Sequence, residues 1–434
     1  MRRSLSALAC VVVVAVAPSA WGQSLVPAKP EEAGLAAQRL DRVTKFFKQE
    51  VDQGRLPGAV VAIARKGRLV YYESFGFRDK GAEAAMPKDA VFRIYSMTKP
   101  LVSVAAMMLM EEGRLQLTDP VSKYLPAFGN VQVSVPKTDN YGKVTYGVAP
   151  LERPITVQDL LRHTAGLAYG EITANAAVKE AYTKAGVFRP DIDYDARDLA
   201  PDDEVAGITK APLVHQPGTV WEYSLAVDML GRVVEKASGM RLGDFLEQRL
   251  FKPLNMADTG FAVPKDKMAR LAQPLLVDPA TGAPNKVIDV SAQPKNDSGG
   301  AGGVSTALDY LRFSQMMLNG GSFEEARILS RTTVALMTSD HLGTDIATPV
   351  QPGQLLLGVP GYTFGLGFAV RKAPGIAGLP GSQGEFMWGG AAGTYFWVDP
   401  KEQLAAVLMT QAPGPSRPYY RREFKQLVYQ AIVD

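Results

Sequence analysis

The chain has 434 residues, of which 46% are hydrophobic and 21% charged. This composition is typical of a folded globular protein with one large domain or two interleaved ones. The net charge of +3 is spread along the sequence without a basic run, which argues against a nucleic-acid groove and against an anchor on an anionic membrane. Small molecules are therefore the expected partners, and the oligomeric state stays open.

Residues 1–22 have the pattern of a secretory signal peptide. Two arginines precede an apolar stretch at 5–17, and small residues at 20 and 22 stand just before an expected cleavage site at Gln23. The apolar stretch is shorter than the ~20 residues that a permanent membrane helix needs, so no stable membrane span is expected. The pattern predicts export, either to the periplasm or out of the cell.

Cysteine and histidine usage argues against metal and thiol chemistry. The only cysteine, Cys10, lies in the predicted signal peptide. The segment around it resembles a lipoprotein cleavage box only weakly. Three histidines, at 163, 215 and 341, are far apart, and none has a paired ligand spacing such as H-x-x-x-H. The sequence therefore predicts no metal and no cofactor.

Strand patterns occur near both ends of the chain. A helix is predicted at 35–51, then a buried strand at 59–64 with its hairpin partner at 69–72. Strand patterns return only at 363–370, 394–398 and 404–410, before a closing helix at 419–433. The two ends are therefore expected to share one antiparallel sheet.

The middle of the chain is helical wherever a periodicity is visible, at 101–110, 157–161, 227–237, 242–250 and 308–318. The polar stretches at 129–153 and 186–210 are expected to be irregular. The prediction is an α+β fold in which an antiparallel sheet, flanked by the terminal helices, carries a large inserted all-helical domain. Its domains are 23–95 with 331–434, and the mainly helical 96–330, with a cleft between them.

An acidic stretch at 191–204 opens with Asp191, Asp193 and Asp195 at alternate positions, as in a calcium loop. Ala196 stands where such a loop needs glycine for its sharp turn. A solvated acidic loop is the preferred interpretation.

Ser96 and Lys99 form an S-x-x-K pattern ahead of an apolar run. A serine at the start of a helix and a lysine three residues later share one face and can touch. Desolvation and the positive end of the helix dipole disfavour the lysine charge, so a partly neutral amine can take the serine proton. Backbone N–H groups at the helix start can also stabilise an oxyanion. The pattern alone fits an N-cap serine beside a surface lysine equally well.

Five stretches together make the pattern more specific. In this order along the chain, they resemble the serine β-lactamase and penicillin-binding-protein superfamily, in its class C-like branch that includes the family VIII carboxylesterases. The stretches are 92–99 (FRIYSMTK), 160–167 (LLRHTAGL), 216–224 (QPGTVWEYS), 299–306 (GGAGGVST) and 388–394 (WGGAAGT).

The resemblance implies a catalytic trio of Ser96, Lys99 and Tyr223, with Tyr223 as the proton shuttle to the leaving group. A phenol serves as a base only beside a cation, which agrees with this assignment. Whether Lys99 or Tyr223 deprotonates Ser96 stays open. The resemblance further implies an oxyanion hole made by the backbone N–H groups of Ser96 and Ala391. Missing side chains at Gly389 and Gly390 would let substrate lie against the strand.

Two departures bear on the substrate. The Tyr-x-Asn and Lys-Thr-Gly motifs of β-lactamases are replaced here by Tyr223-Ser224-Leu225 and Trp388-Gly389-Gly390. The lysine that would meet a β-lactam carboxylate is missing, which argues against efficient antibiotic hydrolysis. The Trp-Gly-Gly version is similar to family VIII esterases, which implies small, short-chain esters. Trp388 is either a wall of the substrate site or an ordinary strand aromatic.

The expected reaction is therefore ester hydrolysis through an acyl-enzyme, on a small-molecule ester or amide. Alternatives with the same machinery are a β-lactamase, a D-amino-acid peptidase or amidase, and an acyltransferase. A non-catalytic cell-wall binding module is the alternative from another class. A Ser-His-Asp triad with His163 is disfavoured, since the G-x-S-x-G pattern is absent, and the glycines at 299–303 are interpreted as a flexible loop at the cleft edge.

Overall fold

The computed structural model describes residues 25–189 and 198–434. The predicted signal peptide and the acidic Asp191–Asp195 pattern lie outside these residues, so export and the interpretation of that loop stay predictions. Within the described ranges, no helix is both long and apolar enough to cross a membrane. The strands are β1 Val26–Pro27, β2 Gly58–Arg65, β3 Arg68–Asp79, β4 Ala84–Ala85, β5 Phe92–Arg93, β6 Val133–Thr138, β7 Val144–Ala149, β8 Val304–Ser305, β9 Ser322–Phe323, β10 Ala326–Arg327, β11 Tyr362–Phe364, β12 Ala369–Arg371, β13 Phe386–Gly389, β14 Tyr395–Asp399 and β15 Leu404–Thr410.

All seven predicted helices are present in the described residues, and four further α-helices, which begin at residues 176, 201, 331 and 352, were not predicted. In chain order, the α-helices are α1 Ala37–Asp52, α2 Thr98–Glu111, α3 Val157–Leu161, α4 Ala176–Lys184, α5 Pro201–Thr209, α6 Ala226–Ser238, α7 Leu242–Leu246, α8 Ala307–Leu318, α9 Arg331–Met337, α10 Pro352–Leu357 and α11 Arg417–Tyr429. A π-helical turn, Glu247–Phe251, extends α7.

One large sheet joins the two ends of the chain, as predicted. Its strand order is β1-β3-β2-β15-β14-β13-β12-β11, with β4 beside β3, and β2 pairs antiparallel with β15 from Ala59–Thr410 to Arg65–Leu404. Every residue of β2 and β15 is buried, which explains why both strands are continuous apolar runs in the sequence. The short β1 runs parallel to β3.

Helices cover both faces of the sheet. Successive residues of a strand point to opposite faces, and on β14 the ring of Phe396 lies 4.9 Å from Tyr310 of α8, while Trp397 lies 5.1 Å from Phe424 of α11. Helix α8 therefore packs on one face and α11 on the other. This arrangement confirms the α+β class, and the domain boundaries at 95/96 and 330/331 stay predictions.

The predicted single strand at 363–370 is wrong, because the chain turns between β11 and β12. A side chain at Gly365 would meet the Met337 carbonyl at 2.1 Å, and Gly367 has a φ of +95°. Both positions need glycine, and the turn interrupts the strand. Strand β13 was missed, although its four residues, 386–389, are all buried.

The inserted segment is mainly helical but not all-helical. Residues 129–153, expected to be irregular, contain the antiparallel hairpin of β6 and β7. Val144, Tyr146 and Val148 alternate with smaller residues along β7, a strand pattern that the sequence interpretation overlooked. Residues 186–210 contain α5, which begins at Pro201 and has three acidic residues in its first turn. These are helix-start signals that the sequence interpretation overlooked.

Asp159, on α3, stabilises the start of the 160–167 segment through hydrogen bonds to residues on both sides of it. Its carboxylate is fully buried and accepts hydrogen bonds from Arg153, Thr156 and Thr164. It also forms an ion pair with Arg162. Burial alone raises the pKa of Asp159, but these hydrogen bonds outweigh it and lower the pKa from 3.8 to about 2.

Acid should therefore weaken the fold through Asp159 between about pH 4 and about pH 2. The carboxyl pKa is lower in the folded than in the unfolded chain, so its contribution is fully present above about pH 4 and is lost as the pH falls through about 2. Because Arg153 is 39% exposed, we expect about 1–2 kcal/mol. Urea unfolding at about pH 6 and about pH 3 should show this loss in the wild type and not in Asp159→Asn. Equal acid sensitivity of both proteins would contradict the assignment.

Candidate active site

Ser96 lies on a single 3-10 turn, Tyr95–Met97, that leads directly into α2. The preceding residue, Tyr95, has a φ of +44°, a left-handed conformation that costs a bulky residue free energy and is held by the surrounding structure. The Tyr95 carbonyl accepts from Thr98 Oγ1 at 2.6 Å, and its phenol oxygen accepts from the Ile288 N–H at 2.9 Å. These contacts fix the turn that presents the half-buried Ser96 side chain.

Lys99 reaches Ser96 from the first turn of α2, as its three-residue spacing predicts. The lysine is 1% exposed, and its Nζ donates to Ser96 Oγ at 3.3 Å, to Tyr169 Oη at 2.8 Å and to the Gly300 carbonyl at 2.7 Å. Nζ also lies 4.7 Å from the ring centroid of Tyr223. The Lys99 amino group is thus held beside the serine by two other acceptors.

Tyr223 approaches Ser96 from the other side of the cleft. Its Oη donates to Ser96 Oγ at 2.6 Å. Its ring packs against the rings of His163, Tyr169 and Trp388, with centroids 5.0 to 5.3 Å apart. The structure therefore brings all three residues of the predicted trio together.

Two further residues support this group and were not identified from the sequence. Tyr169 is buried, and burial raises its pKa well above the usual value, with the nearby Tyr223 and Asp228 adding to the effect; it therefore stays a neutral phenol that accepts from Lys99. Asp228 is fully buried and accepts from Ser298 Oγ at 2.7 Å and from the Gly300 N–H at 3.0 Å. It thereby holds the residue whose carbonyl Lys99 contacts.

The glycines at 299–303 are buried and close-packed, so their interpretation as a flexible loop is wrong. A side chain at Gly300 would meet Asp228 Oδ2 at 2.2 Å, and one at Gly303 would meet Thr98 Oγ1 at 2.7 Å. Glycine is needed here for close approach rather than for mobility.

The Trp388-Gly389-Gly390 motif ends β13 beside Ser96. Trp388 is 1% exposed and contributes to the cavity wall while packing on Tyr223. A side chain at Gly389 would meet the Arg421 guanidinium carbon at 2.9 Å, and one at Gly390 would meet the Ile94 carbonyl at 2.3 Å. Protein atoms therefore fill the place of each missing side chain, while both glycines also line the cavity beside Ser96, so their assignment to substrate binding stays a prediction.

Ser96, Tyr223, Trp388 and Ala391 line one cavity of about 290 Å³. The rest of its wall combines the apolar Ile172, Leu355, Leu356 and Pro418 with the charged Glu171, Arg417 and Arg421. Among the described residues, no group of three or more His, Cys, Asp or Glu side chains could hold a metal ion. The site is thus a small pocket built around a hydrogen-bonded serine.

His163 lies behind Tyr223 and hydrogen-bonds Ser224 Oγ through Nδ1 at 3.2 Å. Burial and then the charge of Lys99 lower the pKa of His163 well below its usual value, so the ring stays neutral. His163 therefore packs against the ring of Tyr223 and is not placed as the base of a Ser-His-Asp triad.

Comparisons with known proteins agree with this geometry. The family model described as Beta-lactamase matches residues 43–430. An uncharacterized protein of Mycobacterium tuberculosis (strain CDC 1551 / Oshkosh) is 34% identical over 380 residues, 86% of this chain and 90% of the relative. Esterase EstB of Burkholderia gladioli is 32% identical over 398 residues, 87% of this chain and 91% of the relative.

A solved structure extends the similarity to the whole fold. EstCE1, described as a hydrolase with promiscuous acyltransferase activity, matches with a TM-score of 0.73 and 28% identity, over 90% of this chain and 99% of its own. Since the family model spans most of the sequence and relatives above 30% identity span most of both chains, this chain belongs to the beta-lactamase family, as a serine hydrolase related to esterases.

Proposed function

We propose that this protein hydrolyses small carboxylic esters in two steps through an acyl-enzyme on Ser96. The observation that carries the proposal is the pair of hydrogen bonds to Ser96 Oγ, from Tyr223 Oη at 2.6 Å and from Lys99 Nζ at 3.3 Å. A serine nucleophile needs an adjacent group to take its proton, and both candidates lie within reach.

The first step forms the acyl-enzyme. Ser96 Oγ attacks the ester carbonyl carbon, and its proton passes to the Lys99–Tyr223 pair in the state in which the pair lacks one proton, as a neutral amine or as a phenolate. The tetrahedral intermediate places its oxygen near the N–H groups of Ser96 and Ala391. The alcohol leaves with the proton from the pair. In the second step water attacks the acyl group, the pair takes its proton and returns one to Ser96, and the carboxylic acid is released.

The volume and the lining of the cavity favour small esters. A volume of about 290 Å³ is at the lower end for binding pockets, and the apolar part of its wall suits a short acyl chain. The Trp388 indole fills the position at which the related β-lactamases carry a lysine. Two arginines also line the cavity, and both donate to backbone carbonyls: Arg421 to those of Gly390 and Leu356, and Arg417 to that of Ala391. This arrangement supports a preference for esters over β-lactam carboxylates.

We expect p-nitrophenyl butyrate to be turned over at least tenfold faster than a chromogenic cephalosporin, judged by kcat/KM, because a tenfold ratio needs only about 1.4 kcal/mol of differential binding. Ser96→Ala should abolish both activities. Faster cephalosporin turnover would show that the Trp388 replacement does not exclude β-lactams, and ester turnover that survives in Ser96→Ala would reject Ser96 as the nucleophile.

The same assay separates the remaining alternatives. Acyl transfer is the second candidate, supported by the described activity of EstCE1. With ethanol present, transfer yields ethyl butyrate in place of butyrate. Cleavage of a D-Ala-D-Ala peptide would indicate a peptidase. Silence toward all acyl substrates, together with no labelling by a fluorophosphonate probe, would instead support a binding module.

A further inference from the structure

A buried arginine on the last helix contacts the backbone beside the predicted oxyanion hole. Arg421 is 3% exposed, and its Nη2 donates to the Gly390 carbonyl at 2.6 Å and to the Thr394 carbonyl at 3.3 Å. Its Nη1 donates to the Leu356 carbonyl at 3.1 Å. Burial and then the charge of Arg417 lower its pKa to about 9, so the group remains a cation at neutral pH.

The contact with Gly390 also orients the next N–H group. The carbonyl of Gly390 and the N–H of Ala391 belong to one planar trans peptide and point in opposite directions. A guanidinium that holds this carbonyl therefore directs the Ala391 N–H away from Arg421. Within residues 25–189 and 198–434, no backbone or side-chain acceptor receives that N–H, and Ala391 lines the cavity together with Ser96.

Glycine at 390 makes such an external restraint necessary. Glycine has the widest backbone freedom, so a peptide that follows it can rotate unless its polar atoms are held. The Gly390 carbonyl also accepts from the Gly393 N–H at 3.1 Å in a tight turn. The charge-assisted bond from Arg421 is shorter and stronger than this neutral one.

The neighbouring residues fit the same arrangement. A side chain at Gly389 would lie 2.9 Å from the Arg421 guanidinium carbon, so glycine at 389 gives Arg421 room to reach the Gly390 carbonyl. Arg417, one helical turn before Arg421, donates to the Ala391 carbonyl at 2.8 Å. Two consecutive carbonyls at the end of β13 are thus held by two arginines from one face of α11.

We propose that Arg421 is a positioning residue that fixes the Gly390–Ala391 peptide so that the Ala391 N–H points at the substrate carbonyl oxygen. This inference rests on the proposed ester hydrolysis at Ser96. It also explains why the Trp388-Gly389-Gly390 motif needs glycine at 389, which the sequence interpretation attributed to substrate.

The test replaces Arg421 by methionine, which is unbranched and donates no hydrogen bond, and by lysine, which keeps the charge. The matched control is Arg422→Met, because Arg422 also donates to a backbone carbonyl, that of Leu357 at 2.7 Å, but does not line the cavity. Because loss of one oxyanion donor costs about 10²–10³-fold in kcat, we expect misplacement of one to cost Arg421→Met about 10- to 100-fold, with KM within about threefold. Arg421→Lys should lose less, and Arg422→Met should keep its activity.

A second measurement separates positioning from folding. An arylboronic acid forms a tetrahedral adduct with the serine and places an oxygen in the oxyanion hole, so its affinity should fall by the same factor as kcat/KM. A rise in KM with kcat unchanged would assign Arg421 to substrate binding instead. Unchanged boronate affinity, or an equal loss in Arg422→Met, would reject the positioning role.

Failure of the proposed function and failure of the Arg421 role give different results. If Arg421→Met does not fold, Arg421→Lys decides, and activity and boronate affinity equal to wild type in this variant would overturn the proposal. A wild-type protein without ester turnover would count against the proposed function, whereas turnover that both Arg421 variants retain would count against Arg421 alone.

Discussion

Lys99→Met is expected to lower kcat for p-nitrophenyl butyrate by about 10³-fold or more, with the fold retained. The variant removes the ammonium that contacts Ser96 Oγ, Tyr169 Oη and the Gly300 carbonyl, so Tyr223 loses the cation beside its ring. General acid–base groups contribute about 10²–10⁴-fold, and members of one catalytic unit fail together. Steady-state kinetics, with circular dichroism to verify folding, measures the loss.

The chain offers a matched control in Lys88. Its Nζ also lies over a tyrosine ring, at 5.7 Å from the centroid of Tyr72, but the side chain is half-exposed and pairs with Glu73 away from the cavity. Lys88→Met should leave kcat unchanged. Tyr223→Phe should lower kcat to a similar level as Lys99→Met, and the double variant should lose little more. A Lys99→Met enzyme within tenfold of wild type would refute the role of Lys99.

Glu385→Ala is expected to lower the free energy of unfolding by about 3–5 kcal/mol, because it leaves two buried cations without their partner. The Glu385 carboxylate is fully buried and pairs with Lys425 at 2.7 Å and Arg371 at 3.3 Å. It also accepts from Tyr362 Oη at 2.6 Å and from Tyr429 Oη at 2.8 Å. Urea denaturation at neutral pH measures the change.

An exposed ion pair is the control for this prediction. Glu73 and Lys88 are each about half-exposed and 3.1 Å apart, so Glu73→Ala should cost less than about 1 kcal/mol. Equal losses in the two variants would show that burial does not govern the energetics of the Glu385 cluster.

Helix α11 connects this cluster to the candidate active site. Arg417, Arg421, Lys425 and Tyr429 recur every four residues and therefore share one helix face. The first two hold the backbone carbonyls of the residues that directly follow β13, and the last two bind Glu385, which directly precedes it. One face of the closing helix thus anchors the strand that borders Ser96.

The sequence by itself determined those features that residue type and spacing within short segments specify. The three-residue spacing on a helix start placed Lys99 beside Ser96, and apolar runs identified β2 as a buried strand and β15 as a strand. The order of five motifs identified the family, and with it Tyr223, although 127 residues separate it from Ser96. Each of these signals lies in residue type and spacing alone.

Only the tertiary structure decided which groups surround Ser96, Lys99 and Tyr223. Lys99 contacts Tyr169 and Gly300, which are 70 and 201 residues away, and Arg421 contacts Gly390 across 31 residues. Most of these acceptors are backbone carbonyls, which every residue carries, so no residue type marks them in a sequence. The glycines at 300 and 389 could be assigned a reason only once the side chains packed against them were placed, because close approach is a property of two segments and not of one.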